Sequence, residues 1–117
     1  MNKLAEMDEI DYKKNIKDGV LYLRLLDPPN FPKIREIARI LSGLMRLKIL
    51  FLLDSDREHY NKKLSEFFNR SPRTIRYHLN QLKKAGLIST HRQKNGRFYK
   101  KVITQDITKI VIDLSPL

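Results

Sequence analysis

Residues 61–88, NKKLSEFFNRSPRTIRYHLNQLKKAGLI, contain two helix patterns separated by a short turn. In the first pattern Asn61 is a favourable N-cap residue, because its side-chain oxygen can accept a hydrogen bond from a free N–H of the first turn. Leu64, Phe67 and Phe68 follow it at helical spacing. We therefore predict a short helix whose three apolar side chains point inward.

The second pattern has clear start and stop signals. Asn69 stands where the turn needs a left-handed residue, Ser71 suits the N-cap, and Pro72 suits the first helical position. Gly86 supplies the C-terminal stop. The side chains that we expect to be buried recur at spacings of four and three residues, and they are Ile75, Leu79 and Leu82. Two short helices joined by about four residues predict a helix-turn-helix.

The segment after the second helix predicts a β-hairpin. Residues 87–89 are typical of a strand, Asn95-Gly96 is a strong hairpin signal, and residues 98–103 supply a returning strand. A hairpin that directly follows the second helix is the wing of a winged helix-turn-helix. The predicted fold class is therefore mainly α with a small β-hairpin, an α+β winged helix-turn-helix.

Two more helices are predicted before this motif. Pro32 fits the first turn of a helix whose apolar stripe extends to Leu41. Ser42 is then a candidate N-cap for a strongly apolar helix that ends before the acidic turn at residues 54–56. This second helix is the predicted central core helix of the domain.

The chain divides into three predicted segments. Residues 1–30 form an N-terminal extension, residues 31–104 the winged helix-turn-helix domain, and residues 105–117 an apolar C-terminal element. In the extension, residues 20–26 fit a strand or a helix, and we favour the strand slightly. Residues 107–114 fit one face of a helix, although their β-branched residues also suit a strand.

Charge is distributed unevenly along the sequence. The whole chain has a formal net charge of +11, and residues 67–105 contain ten lysines and arginines but no aspartate or glutamate. These basic residues alternate with apolar ones at helical and then at strand spacing, which indicates a folded basic face and not a disordered tail. Such a face suits a polyanion, and we expect a nucleic acid.

The residues predicted to contact DNA lie in the second helix of the motif, residues 72–85, and in the wing, residues 88–103. Those of the helix and its N-cap are Ser71, Pro72, Arg73, Thr74, Arg76, Tyr77, Asn80, Lys83 and Lys84. Those of the wing are Arg92, Lys94, Arg97 and Lys100. Ser71 is also explained by capping alone, and the lysines by a solvated charged face.

Four of these side chains have the chemistry to read bases in the major groove. Arg73 and Arg76 can each bond guanine O6 and N7 through the guanidinium fork, and Asn80 can bond adenine N6 and N7. Tyr77 can contact a thymine methyl group or a phosphate. For His78, which lies beside the buried stripe, we expect a packed and hydrogen-bonded residue and not a metal ligand.

From Leu44 to Lys101 the sequence resembles the winged-helix domain of ArsR-like transcriptional regulators, which are common in bacteria and archaea. The resemblance rests on Leu64 and Phe68 and on four blocks: RLKIL at 46–50, SPRTIRYHL at 71–79, LKKAGLI at 82–88, and NGR at 95–97. It implies a sequence-specific double-stranded DNA-binding regulator of transcription. The family usually dimerises through the helices that flank the winged core, so we expect a C2 homodimer that uses the apolar lead-in and tail.

Three departures from the family pattern matter. Asn69 replaces a usual glycine, which its tolerance of the left-handed region makes harmless. Arg70 stands where an aliphatic side chain is usual, so either its stem packs or the turn is remodelled to direct it at phosphate. The chain has no cysteine and no clustered histidine and carboxylate set, so we do not expect metal sensing.

Other functions are disfavoured by what the sequence lacks. No cysteine nucleophile, glycine-rich phosphate loop, metal-ligand spacing or carboxylate pair is present, so we expect no enzyme activity and no cofactor. No apolar run reaches the ~20 residues of a membrane span, so we expect a cytoplasmic, nucleoid-associated protein. The alternative that stays open is a winged helix that binds RNA, coats chromatin or joins the transcription machinery without strong sequence specificity.

Overall fold

The structure is a computed structural model that describes residues 15–53 and 61–115. These described residues form two compact units, one between residues 40 and 106 and the other from residues up to 39 together with those from 107 onward. In chain order, the strands and helices are β1 (Ile16–Lys17), β2 (Val20–Arg24), a 3-10 helix (Pro28–Asn30), α1 (Phe31–Leu41), α2 (Leu44–Leu53), α3 (Asn61–Phe68), α4 (Pro72–Lys84), β3 (Ile88–Asn95), β4 (Phe98–Gln105) and β5 (Lys109–Asp113).

The unit of residues 40–106 has the predicted winged helix-turn-helix fold. The helices α2, α3 and α4 are followed by the hairpin of β3 and β4. Full burial of a Leu or Ile side chain contributes about 1.5–3 kcal/mol, so a continuous apolar interior holds these elements together. Its members are Ile49, Leu53, Leu64, Ile75, Leu79, Leu82, Leu87, Ile88, Val102 and Ile103.

The turn between α3 and α4 joins two capping motifs. Asn69 has a φ of +52°, in the left-handed region, as predicted. Its N–H donates to the carbonyl of Glu66 (3.3 Å), and that of Arg70 donates to the carbonyl of Ser65 (3.1 Å), which is a Schellman motif. The buried Ser65 hydroxyl donates to the carbonyl of Arg70. The Arg70 side chain is exposed, and Ser71 begins the next helix.

A second Schellman motif ends α4 and starts the wing. The N–H of Gly86 donates to the carbonyl of Lys83 (3.0 Å), and that of Leu87 donates to the carbonyl of Leu82 (3.1 Å). Gly86 has a φ of +80°, so a β-carbon there would be strained, and the predicted stop is confirmed.

The hairpin turn lies one residue later than the Asn-Gly signal. Asn95 pairs with Phe98, so the two turn residues are Gly96 and Arg97. Of these only Gly96 has a positive φ (+65°), which is the pattern of a type II′ turn. The hairpin itself was predicted, and the consequence of the shift is that Arg97 stands at the wing tip.

The other unit contains a three-stranded sheet with the order β1-β2-β5. β1 pairs antiparallel with β2, whereas β5 pairs parallel with β2 from Val20 opposite Lys109 to Arg24 opposite Asp113. Leu21 and Leu23 are fully buried. The slight preference for a strand in residues 20–26 is confirmed over Val20–Arg24, and the tail is a strand and not a helix.

Two details of α3 differ from the sequence predictions. Phe67 is 67% exposed, so only Leu64 is fully buried among the three apolar residues predicted to point inward from α3. Asn61 is the first helical residue, and its side-chain oxygen is buried without a hydrogen bond among the described residues, so it is not the N-cap.

The N-cap of α2 is Gly43 and not Ser42. The carbonyl of Gly43 accepts the first helical hydrogen bond, from Leu47 N–H at 3.1 Å. A β-carbon on Gly43 would lie 2.6–2.8 Å from the Arg46 guanidinium, which is held there because its Nε donates to the carbonyl of Ile40 at 2.8 Å. A side chain at this position would therefore have to displace the Arg46 guanidinium.

Candidate nucleic-acid interface

The outer face of α4 is the centre of the candidate interface. Ile75 and Leu82 are fully buried and Leu79 is nearly so, as the helical spacing predicted. All nine predicted contact residues at or after the N-cap are exposed, and they are Ser71, Pro72, Arg73, Thr74, Arg76, Tyr77, Asn80, Lys83 and Lys84. The structure thus brings the proposed base-reading residues together on one solvent-facing side of a single helix.

The N-terminal turn of α4 is held by its own side chains. Thr74 N–H donates to the Ser71 hydroxyl oxygen at 3.1 Å, and the hydroxyls of the two residues lie 2.9 Å apart. Pro72 occupies the first turn, where its missing N–H leaves no donor unsatisfied. Capping therefore accounts for the side chains of Ser71 and Thr74 without a ligand.

A cleft of about 130 Å³ separates α4 from the wing. Lys83 Nζ bridges the two elements by donating to the Thr90 hydroxyl at 3.0 Å. The lining of the cleft includes three cationic side chains and no acidic one among the described residues. It consists of Asn61, Arg76, Leu79, Asn80, Lys83, Thr90, Lys101 and Ile103. The positive potential of the helix therefore continues onto the hairpin.

The strand register divides the basic residues of the wing between two faces. Thr90 pairs with Ile103 and Arg92 pairs with Lys101, so these four share the face that meets the cleft. Lys94 follows on that face two residues after Arg92, whose guanidinium lies 5.2 Å from the centroid of the Tyr99 ring. Arg97 is exposed at the tip.

Lys100 lies on the opposite face of the hairpin. It pairs with Gln93, one position out of phase with Arg92 and Lys101, and its side chain is half-buried. Lys101, which was part of the basic run but not of the predicted contact set, lines the cleft with Thr90. The period-two alternation of the strand is the signal that would have found it, once the phase of that strand was known.

His78 is partly buried on α4 between the core and the outer face. Burial, and then the charge of Arg46, lowers the pKa of its imidazole below the ordinary value of 6.5. Its ring meets that of Tyr77 edge to face with centroids 5.4 Å apart. Nδ1 is buried with no hydrogen-bond partner among the described residues, so the prediction of a packed residue is confirmed but that of a hydrogen-bonded one is wrong for Nδ1.

The described part of the chain contains neither a metal-binding cluster nor a membrane-spanning helix. Within residues 15–53 and 61–115, no three histidine, cysteine, aspartate or glutamate side chains are grouped so that they could hold a metal ion. Across the same residues, no helix has both the length and the apolar character that crossing a membrane requires.

A different surface of the same unit is apolar. Leu47, Lys48, Phe51, Leu52, Phe67 and Phe68 line a groove of about 300 Å³ between α2 and α3. Phe51 is 84% exposed, and Phe67 packs edge to face on Phe68 with ring centroids 5.0 Å apart. Sequence periodicity missed this groove because Phe67 and Phe68 were both predicted to point inward from α3.

A short helix, a capped turn, a second helix with a basic outer face and a β-hairpin together define a winged helix-turn-helix protein. Residues 45–90 match the family model described as "Bacterial regulatory protein, arsR family". This segment is therefore similar to the helix-turn-helix of that family, which confirms the resemblance noted in the sequence.

Similarity to individual proteins supports the same class. Over 69 residues the chain is 36% identical to a protein of Bacillus subtilis (strain 168) named "Uncharacterized HTH-type transcriptional regulator YdfF". The match covers 59% of this chain but only 30% of that relative, so this chain corresponds to less than a third of its length.

Three solved structures share the fold. A possible transcriptional regulatory protein from Mycobacterium bovis has a TM-score of 0.54 at 20% identity, covering 63% of this chain and 74% of that one. Reduced HlyU from Vibrio cholerae has a TM-score of 0.52 at 26% identity, and the match covers 65% of this chain and 75% of that one. A transcriptional regulator homologue from Pyrococcus horikoshii has a TM-score of 0.51 at 23% identity, and the match covers 62% of this chain and 74% of that one.

Proposed function

We propose that the chain is a transcriptional regulator that binds double-stranded DNA at specific sequences. In this proposal, α4 enters the major groove and the wing lies along the adjacent backbone or minor groove. The observation that carries the proposal is the continuity of exposed basic residues from α4 across the cleft to one face of the wing, with no acidic side chain between them.

Base reading is assigned to the middle of the exposed helix face. Arg73 and Arg76 each offer a bidentate donor pair for guanine, and Asn80 offers a donor and an acceptor for adenine. Tyr77 is 57% exposed and reaches a thymine methyl group or a phosphate from the same side. These contacts supply the difference in affinity between the right and the wrong sequence.

Backbone binding is assigned to the lysines of α4 and to the wing. Lys83 and Lys84 stand at the end of the helix, and Arg92 and Lys94 follow on the cleft face of the hairpin with Arg97 at its tip. Each phosphate neutralised by such a side chain releases counterions, which makes affinity fall with salt. Lys100 is also a proposed contact, but the geometry favours Lys101, because it shares the cleft with Lys83.

We further propose that the regulator acts as a C2 homodimer in the cytoplasm, where its DNA target is found. A two-fold symmetric protein would bind a palindromic or near-palindromic site with its two α4 helices about 34 Å apart, one turn of DNA. Outside the winged unit, β2 exposes Tyr22 and β5 exposes Ile112, which supports an association surface there.

The test is selection of preferred duplexes from a random pool by the whole chain, followed by competition with unrelated DNA and with RNA. We expect an enriched sequence with two half-sites about 10 base pairs apart, bound at least ~10³-fold more tightly than random DNA. Equal affinity for all duplexes, or tighter binding to RNA, would overturn specific regulation in favour of a chromatin or RNA-binding role.

A further inference from the structure

The strand β5 forms an outer edge of the three-stranded sheet. Its inner edge faces β2, because Lys109 N–H donates to the carbonyl of Gly19 (3.3 Å) and the carbonyl of Asp113 accepts from Leu25 N–H (2.8 Å). Backbone groups of successive residues point to alternate edges of a strand, so those of Ile110 and Ile112 point outward. Among the described residues no strand pairs with this outer edge.

An open edge of this kind is a template for another strand. Proteins often protect edges with a proline, a bulge or an inward-pointing charge, and β5 has none of these in its centre, Ile110-Val111-Ile112. The centre is β-branched and apolar, and Ile112 is 36% exposed. The edge is therefore suited to strand pairing and not to exposure alone.

The sequence of β5, KIVID, is complementary to itself when it runs antiparallel. With Val111 at the centre, Lys109 stands opposite Asp113 of the partner subunit, and Ile110 stands opposite Ile112 of the partner subunit. Opposite charges at both ends and apolar pairs between them are favourable cross-strand neighbours. A parallel arrangement would instead place Lys109 beside Lys109 of the partner subunit, which is unfavourable.

The hydrogen-bonding phase of the strand agrees with this register. In antiparallel strands, pairs that exchange two hydrogen bonds alternate with pairs that exchange none. The outward-pointing residues, Ile110 and Ile112, meet as bonded pairs, and Val111 lies on the two-fold axis as a non-bonded pair. Val111 shares its sheet face with Lys109 and Asp113, and on that face it pairs with Tyr22 of β2. An apolar strip of Tyr22 and Val111 therefore crosses the two-fold axis between the charged pairs.

We propose that β5 pairs antiparallel with β5 of a second copy of this chain, centred on Val111, so that two three-stranded sheets join into one of six strands. The inference rests on the proposed homodimer but not on DNA binding. Asp113 is suited to its role because hydrogen bonds from Ser115 and Tyr22 lower its pKa to about 2, which keeps it charged at neutral pH.

Charge exchange tests the register. We expect Lys109→Asp alone, or Asp113→Lys alone, to raise the dimer dissociation constant at least ~10-fold, because both end pairs then carry like charges. An equimolar mixture of the two variants should regain association as a heterodimer, because both end pairs again carry opposite charges. Lys17→Asp makes the same charge change on β1 and serves as the matched control. Sedimentation and fluorescence transfer between labelled chains measure the result.

Amide hydrogen exchange of the unmodified chain gives a readout without substitution. At concentrations where the dimer dominates, the amide hydrogens of Ile110 and Ile112 should exchange slowly, and dilution should remove that protection. Ile112→Pro should abolish association while circular dichroism stays unchanged, because the proline removes only an outward N–H.

Specific outcomes overturn the proposal. These are a chain of 13.9 kDa at all concentrations, a Lys109→Asp variant that associates as well as Lys17→Asp, or a mixture that fails to associate. Binding of one DNA half-site by the monomeric Lys109→Asp variant would separate failure of this interface from failure of the proposed DNA-binding function.

Discussion

The winged unit has two outer surfaces that differ in chemistry. The outer side of α4 and the cleft face of the wing carry arginines, lysines and an asparagine around the cleft. The groove between α2 and α3 is almost wholly apolar, with Phe51 and Phe67 largely exposed. Both surfaces belong to helices that are packed on the same buried core.

The two surfaces differ in how clearly their chemistry indicates a partner. Charge of one sign, spread over a helix and a hairpin, is complementary to the regular phosphates of a duplex, and it attracts them over a Debye length of about 8 Å at physiological salt. An apolar groove exerts no long-range attraction and has no charge for a partner to complement. Its exposed area indicates only that a contact would be favourable. The function proposed for this chain therefore rests on the basic surface.

The largest expected effect separates the buried from the exposed side of these helices. Ile75→Ala should lower the free energy of unfolding by about 2–5 kcal/mol, because it leaves a cavity under α4. Phe51→Ala, at a residue that is 84% exposed, should change it by less than about 0.5 kcal/mol. Urea unfolding of both variants measures the contrast. A cost for Phe51→Ala that equals that of Ile75→Ala would mean that the groove is an interior contact of the folded protein.

The next effect tests the assignment of the two surfaces to DNA. Arg76→Ala should weaken binding to the selected duplex by about 1–3 kcal/mol and relax the preference at one or two base pairs. Phe67→Ala, in the apolar groove, is the matched control and should leave DNA affinity unchanged. Fluorescence anisotropy with specific and random duplexes distinguishes the outcomes. If Arg76→Ala weakened both duplexes equally, Arg76 would be a phosphate contact and not a base reader.

A smaller effect compares the two faces of the wing itself. Lys101→Ala should reduce the slope of log affinity against log salt by about one, because it removes one phosphate contact at the cleft. Lys100→Ala makes the same change on the other face of the hairpin, and its slope should stay closer to that of the unmodified chain. The reverse order would assign the opposite wing face to DNA and restore Lys100 as the main contact.

Much of the winged unit was predictable because its signals are local. Ser71, Pro72 and Gly86 fix the ends of α4 through bonds within a few residues, and the spacing of Ile75, Leu79 and Leu82 fixes its inner face. These features are encoded by neighbouring residues, so they can be predicted without knowledge of the rest of the fold. The face proposed to read DNA followed directly from them.

The features that were missed depend on distant partners in the chain or on which face of a strand or helix a residue occupies. Whether residues 107–114 form a helix or a strand is decided by pairing with β2, more than 80 residues earlier in the chain. Lys100 and Lys101 are adjacent, and both Val102 and Ile103 are buried, so apolar alternation could not assign the lysines to faces. The exposure of Phe67 likewise follows from how α3 packs, which helical spacing alone leaves open between neighbouring phenylalanines.

The smallest effect concerns His78, which lies on α4 between the buried stripe and the outer face. Its pKa is lowered in the folded protein by burial and by Arg46, so below about pH 6.5 the unfolded chain binds more protons than the folded one. The free energy of unfolding should therefore decrease as pH falls through this range, and His78→Gln should remove that part of the decrease. Urea unfolding at pH 7.5 and 5.5 measures it, with His91→Gln on the exposed wing as the control that keeps the decrease. An equal pH dependence in the His78→Gln variant and the unmodified chain would show that burial of this imidazole does not penalise its charged form, and that its side of α4 is as accessible to water as the proposed DNA-binding face.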